Sequence, residues 1–267
     1  MVLDLDNKFS VLRLGQILSL HLSSLKIPIQ EVDISSLVEA SLRHLHIFQP
    51  HSMRSLIATV NSLFTYFNNT RSHCSANRVV GLLVLNGLSA FLLQDRLDAD
   101  EADLVGANNG TENHGVLAQS YRDLVDAVRR VQQTFECMII GTNWGLAPVQ
   151  YNAGHPVLRP HLPAIWTSFC TLRLVVERNT ISKFGPGMSA GEAMKEGLQR
   201  QEAVDEGGFS CWVNWWGSDG WREDVREAVH GVKKGVVLWF RIKDGKVVID
   251  DGRNTSNSTI DFTHIST

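Results

Sequence analysis

Val79-Val80-Gly81-Leu82-Leu83-Val84-Leu85-Asn86 runs from its first residue to Leu85 without a polar side chain and ends on a carboxamide. Strands of a parallel sheet are covered on both faces by crossover helices, so they read as continuous apolar runs rather than as alternating ones. The stretch therefore predicts a central strand of a parallel sheet, with Asn86 at its carboxyl end. Outward from it, Leu117, Tyr121, Leu124, Val125, Val128, Val131 and Phe135 recur at helical spacing and lead into a second apolar strand, Cys137-Met138-Ile139-Ile140-Gly141. Upstream, Met53, Leu56, Ile57, Val60, Leu63, Phe64 and Phe67 form the stripe of a core-facing helix. His44-Leu45-His46-Ile47-Phe48, closed by Pro50, reads as a short strand, and Val2-Leu3-Asp4-Leu5-Asp6 as another.

Two further helices are expected, one with Leu14, Ile17, Leu18 and Leu22 on one side and one with Ile34, Leu37, Val38 and Leu42. Strands alternating with helices argue for a sheet wrapped by helices, the α/β class. A further strand, Leu172 to Val176, follows a loop broken by Pro148, Pro156, Pro160 and Pro163. From Asn179 to Lys234 the character changes: glycines cluster, and Trp212, Trp215, Trp216 and Trp221 fall close together, as in an insertion with one helix near Ala190 to Val204. Val236 to Ile242, then Asp244-Gly245, then Val247 to Ile249 predicts a hairpin. A polar tail follows.

The 267 residues suffice for a full core, and a 43% apolar and 20% charged composition is that of a globular chain. A net charge of −3 gives no general attraction to phosphate backbones. The four cysteines form no Cys-x-x-Cys pair, and no signal peptide is evident, which favours a reducing compartment. The longest apolar stretch, Val79 to Leu93, is too short and too polar to span a membrane.

A phosphate-binding loop needs Gly-x-x-x-x-Gly-Lys-Ser/Thr between strand and helix, so that backbone N–H groups and the lysine surround the phosphates. The only Gly-Lys pair, Gly245-Lys246, lies in the hairpin, and the motif is absent. Gly185-Pro186-Gly187-Met188-Ser189-Ala190-Gly191 has no βαβ unit around it and reads as a connector rather than a dinucleotide fingerprint. Ser89 lacks the closing glycine of a nucleophile elbow. His44, His46 and His51 show no metal-ligand spacing with a carboxylate and are expected in a strand or loop role. Asp4 and Asp6 share a strand face, Asn86 ends the long strand and Thr142-Asn143 the next. In a parallel sheet, ligands gather at such carboxyl ends, so these side chains are candidates for the wall of one site. Ordinary strand-end polarity is the competing reading. The tryptophans read as a local mini-core or a protein-docking patch, because the basic residues a base-stacking platform needs are sparse there.

Val79 through Phe91, continuing to Gln94-Asp95-Arg96, resembles the Walker B strand and its sequel in RecA-type recombinase paralogues of eukaryotes. Leu3-Asp4-Leu5-Asp6-Asn7-Lys8-Phe9 with Leu12-Arg13-Leu14 resembles the strand and helix that follow the Walker A helix in that family. Arg159-Pro160-His161-Leu162 with Trp166, and the terminal hairpin, fit in the same order. The resemblance covers residues 1 to 178 and 235 to 250. It implies a RecA-like P-loop ATPase core with a mostly parallel central sheet, truncated at its amino end because the Walker A segment would lie upstream of Met1. The division it implies is a core over 1–178, a Gly/Trp-rich insertion over 179–234, a terminal core hairpin over 235–252 and a tail over 253–267.

At the nucleotide-site positions the resemblance places Asn86 where active members have a Mg²⁺-holding aspartate. Asp6 stands where they carry a glutamate that readies water, and Asn143 where a glutamine senses the nucleotide. Phosphoryl transfer rests on positioning and on charge neutralisation by lysine and Mg²⁺. The chain is therefore expected to bind no cofactor by itself, with ATP and Mg²⁺ reserved for a complete chain or complex. The family's DNA-contacting loops map to 95–114 and 145–163. The first carries Asp95, Asp98, Asp100, Glu101, Asp103 and Glu112 against Arg96, which repels phosphates.

The resemblance thus implies a non-catalytic subunit of homologous-recombination repair of DNA double-strand breaks. It would act in the nucleus through other recombinase paralogues, reaching DNA indirectly or weakly and touching no membrane. An active DNA-dependent ATPase missing its Walker A segment is the second reading. A stand-alone protein-interaction module using the tryptophan segment is the third.

Overall fold

The computed structural model describes residues 1–25, 33–69, 71, 73–76, 78–105, 112–144, 146–152, 155–178, 187–205, 208–231, 238–243 and 246–250. Its first half runs β1 (Val2–Asp4), α1 (Val11–Ser24), α2 (Ile34–Leu42), β2 (Ile47–Phe48), α3 (Met53–Asn68), β3 (Leu82–Asn86), α4 (Leu92–Val105), α5 (Glu112–Phe135) and β4 (Met138–Gly141). The four strands form one all-parallel sheet in the order β2-β1-β3-β4. The mixed α/β class with a parallel central sheet expected from the alternating pattern is what the chain adopts.

Helical spacing on α3 and α5 decides which face of that sheet is covered. Leu56, Val60 and Leu63 of α3 and Tyr121, Leu124, Val125 and Val128 of α5 have no measurable exposure, and they pack with Leu3, Leu83 and Leu85 of the strands in one core. Ser52 caps α3 by accepting the Ser55 N–H. That bond satisfies one of the donors a helix start leaves open.

The opposite face differs from the expectation of a strand buried on both sides. Leu82 on β3 and Met138 and Ile140 on β4 are exposed, and β3 begins at Leu82, leaving Val79 outside it in solvent. The physical reason is the placement of α1 and α2. They pack on each other, with Leu42 and Val38 close to Gly15, and neither buries a residue against the sheet.

The second half runs β5 (Leu146–Asn152), β6 (His155–Pro160), α6 (Ala164–Phe169), β7 (Leu174–Arg178), α7 (Ala190–Asp205), β8 (Phe209–Val213), α8 (Glu223–Gly231), β9 (Leu238–Lys243) and β10 (Lys246–Asp250). The strand expected over Leu172 to Val176 does not join the parallel sheet. As β7 it pairs antiparallel with β8, in a separate four-stranded sheet ordered β10-β9-β8-β7. The terminal hairpin and a strand from the tryptophan segment thus share one sheet. The proline-broken loop is itself a hairpin of β5 and β6.

The Asp244-Gly245 turn, Gly185 and Pro186 of the Gly185–Gly191 connector and the 253–267 tail lie outside the described residues. Among the described residues, no helix is long and apolar enough to cross a membrane.

This packing separates neighbours on one strand. Leu85→Ala removes a side chain with no exposed surface and is expected to cost about 3 kcal/mol. Leu82→Ala, at a residue 38% exposed, should cost about 1 kcal/mol or less. Urea denaturation midpoints of the two variants test this, and equal losses would contradict a sheet covered on one face.

Candidate functional site

At the carboxyl ends of β1, β3 and β4, four side chains from distant parts of the chain converge. Parallel register sets Asp4 beside Asn86, and the next ladder step sets Leu85 beside Gly141. The Asn86 Nδ2 donates to Asp4 Oδ1 at 2.9 Å and to Asp6 Oδ1 at 3.0 Å. Its Oδ1 accepts from the Thr142 hydroxyl at 3.0 Å, and that hydroxyl accepts from the Gly87 N–H at 2.9 Å. Both hydrogens of the carboxamide thus point at carboxylates and its oxygen at a hydroxyl, which fixes the orientation of the group chemically.

Asp4 is 1% exposed. Besides Asn86 it accepts the backbone N–H of Lys8 at 3.2 Å and of Phe9 at 3.1 Å. The chain turns back onto Asp4 because Asn7 adopts a left-handed conformation (φ 55°), which asparagine tolerates better than most residues. Burial acts to raise the Asp4 pKa. The hydrogen bonds from Asn86, from the Phe9 and Lys8 amides and from the Gln49 side chain outweigh it and hold the carboxyl below its ordinary value.

Asp6 has fewer partners. Its Oδ2 lies 3.5 Å from the exposed Lys8 ammonium, which also sits 5.4 Å from the centre of the Trp144 ring. Gly87, immediately after Asn86, has φ +80° and backs directly onto Asp6: a Cβ there would fall 2.7 Å from the Asp6 Cγ. Only glycine meets both demands.

The structure brings Asp6 and Asn86 into direct contact and places Asn143 two residues beyond the end of β4. The Nδ2 of Asn143 is buried without a hydrogen-bond partner. Thr142, a candidate for the wall of the site, bridges Asn86 to Gly87 through a register that periodicity does not reveal, and one member of the site, Trp144, escaped the sequence reading. Trp144, 67% exposed, stands beside Lys8, and its N–H donates to Ser89 Oγ at 2.9 Å. An exposed tryptophan directly after a strand-end Thr-Asn was the available signal.

Chemically, the node satisfies its own hydrogen-bonding groups. An amide NH₂ lies between two carboxylates, in the position a bridging cation would take, and Lys8 supplies a positive charge from the outside. Among the described residues, no three His, Cys, Asp or Glu side chains are placed to hold a metal ion.

The segments mapped as DNA-contacting loops are largely regular. Residues 95–105 continue helix α4, and 146–152 with 155–160 form the β5–β6 hairpin. Residues 106–111, 145 and 153–154 lie outside the described part. Within the described residues these segments are thus helix and paired strand rather than irregular chain. No protein-family model matches the chain, and no curated protein matches it.

Removing the central amide tests the node. Asn86→Ala withdraws two charge-assisted bonds and should cost about 3 kcal/mol at neutral pH. Because the folded Asp4 carboxyl lies below its ordinary value, the stability it contributes is complete above the unfolded carboxylate pKa and is lost as pH falls through the folded one. The variant should therefore lose less stability on acidification than the parent. Urea titrations at neutral and acid pH measure this, and parallel acid slopes would exclude Asn86 as a main support of Asp4.

Proposed function

We propose that the chain is a non-catalytic subunit of the RecA-type recombinase-paralogue class, supporting homologous-recombination repair of DNA double-strand breaks in the nucleus through protein–protein assembly. The observation that carries the non-catalytic part is the bridging of Asp4 and Asp6 by the Asn86 carboxamide. A nucleotide-hydrolysing centre needs a carboxylate free to hold a hydrated Mg²⁺ and another free to orient water. Here Asp4 is consumed by four donors, and Asp6 is shared between an amide and Lys8. The all-parallel sheet, with its polar strand ends gathered at one edge, supports placing the core among RecA-like folds. The acidic composition of residues 95–103 speaks against phosphate contacts there. The partners proposed are other recombinase paralogues, with DNA reached through the assembly.

The orphaned Nδ2 of Asn143 favours a second reading, in which the site takes a nucleotide within a complete chain or complex. A buried donor without an acceptor costs about 1–3 kcal/mol, which a ligand oxygen would relieve.

Three measurements separate the readings. The purified chain titrated with ATP and Mg²⁺ is expected to show no saturable binding in the micromolar range, and tight Mg²⁺-dependent binding would move the assignment to the ATPase. Asp6→Asn should leave capture of a co-expressed recombinase paralogue intact, since assembly on this reading does not use the node. Asn86→Asp should create a cation site from three carboxylates, so that Mn²⁺ raises the melting temperature of the variant and leaves the parent unmoved. Stabilisation of the parent by Mn²⁺ would contradict a node in which the Asn86 carboxamide occupies the place of a cation.

A further inference from the structure

At the other end of the parallel sheet, imidazoles pin His73 and Ser75, between α3 and β3, in place. The Ser75 hydroxyl, in a residue 5% exposed, lies 2.8 Å from His44 Nδ1 and 2.9 Å from His46 Nε2. The second nitrogen of His46, Nδ1, lies 3.0 Å from the Tyr66 hydroxyl. His73 completes the cluster. Its Nε2 is 3.1 Å from the Tyr66 carbonyl oxygen, and its Nδ1 is 3.1 Å from the Ser75 backbone nitrogen.

These contacts fix protonation states. A carbonyl only accepts, so the Nε2 of His73 carries the hydrogen; a backbone N–H only donates, so its Nδ1 must be a bare lone pair. His73 is therefore held neutral, and a proton on Nδ1 would aim one donor at another. Ser75 has a single hydroxyl hydrogen. With His44 and His46 both charged, two N–H groups would point at its oxygen, and its own hydrogen would lose its acceptor.

Among the described residues, no carboxylate acts on His46 to balance a cation. His46 is enclosed by the rings of Tyr66, Phe67 and His73. The titratable groups facing it are His73, the Met1 ammonium, His44 and the Tyr66 hydroxyl. Cys74, exposed beside His44 at 3.9 Å from its Nδ1, is the remaining titratable neighbour of the cluster.

We propose that this imidazole cluster is an acid-released latch, which holds residues 73–76 against α3 and the edge strand β2 while His46 is neutral and lets them go when it takes up a proton. The direction of titration agrees: burial first, then His73, the Met1 ammonium and His44, push the His46 pKa below its ordinary value. A group depressed in this way contributes stability that is complete above the ordinary imidazole pKa of about 6.5 and is lost as pH falls through the folded value. Release frees the segment that leads into β3. It also loosens the hold on β2, whose neighbour His46 accepts the Val2 N–H through its carbonyl at 2.8 Å.

Hydrogen exchange read by mass spectrometry on the full chain tests the latch, with rates corrected for the intrinsic pH dependence and a chelator present. Between about pH 7.5 and about pH 5.5, amide protection in peptides spanning 73–76 should fall by about tenfold or more, while peptides of α5 keep theirs. His46→Gln and His73→Gln, which retain donor and acceptor atoms but do not titrate, should each flatten that dependence. Unchanged protection of 73–76 in the parent across this range would overturn the proposal. So would a simultaneous loss in α5, which marks global acid unfolding, or an undiminished pH dependence in both variants.

Discussion

A carboxylate taken almost wholly out of water must find donors, and the Asp4 carboxylate sets the terms for the first half of the molecule. Its partners come from the Lys8 and Phe9 amides just ahead of α1 and from Asn86 at the tip of β3, with Gln49 adding a side-chain bond from beyond β2. Any slip of β1 against β3 by one residue would turn Asp4 toward the Leu56 and Leu124 layer and strand a charge in hydrocarbon. The node is thus a register lock as well as a candidate site. The same bonds that hold the sheet in register use up the groups that a nucleotide centre would need free.

The two ends of the parallel sheet are built from opposite chemistry. At the carboxyl ends, anionic groups are balanced by amides, a hydroxyl and one lysine. At the amino ends, imidazoles share a serine and a tyrosine hydroxyl, with the Met1 ammonium nearby and its N–H donated to the Leu82 carbonyl at 3.0 Å. Between them lie Leu3, Leu83 and Leu85, with no polar atom to carry charge from one end to the other. The site end is therefore most stable where the Asp4 carboxyl is ionised, and the latch end where His46 is not. Neutral pH satisfies both.

In the second half, aromatic burial does the work that helices do in the first. Trp212 and Trp221 are buried, and the guanidinium of Arg173 donates to the Trp216 and Thr167 carbonyls while lying 5.8 Å from the centre of the Trp221 ring. Asn214 exchanges hydrogen bonds with the backbone of Leu158, tying the tryptophan turn to β6. Trp212 and Trp221 thus belong to the buried interior of this half, while Trp215 and Trp216 are partly exposed.

Sequence alone determined the helices α3 and α5, the apolar strands they cover and the α/β class, because burial imposes a period on the chain that can be read residue by residue. It also exposed Asp6, Asn86 and Asn143 as strand-end polar groups, since a polar residue that closes an apolar run stands out. It did not reveal that Asn86 would lie between two carboxylates, that Thr142 would bridge to Gly87, or that His73 and Ser75 would meet His44 and His46. Those contacts join residues tens of positions apart and depend on strand order and register. Nor did it show that β7 would leave the parallel sheet for β8, or that one face of β3 would stay open. A strand's pattern records how apolar its surroundings can be, and only the folded chain decides which neighbour supplies them.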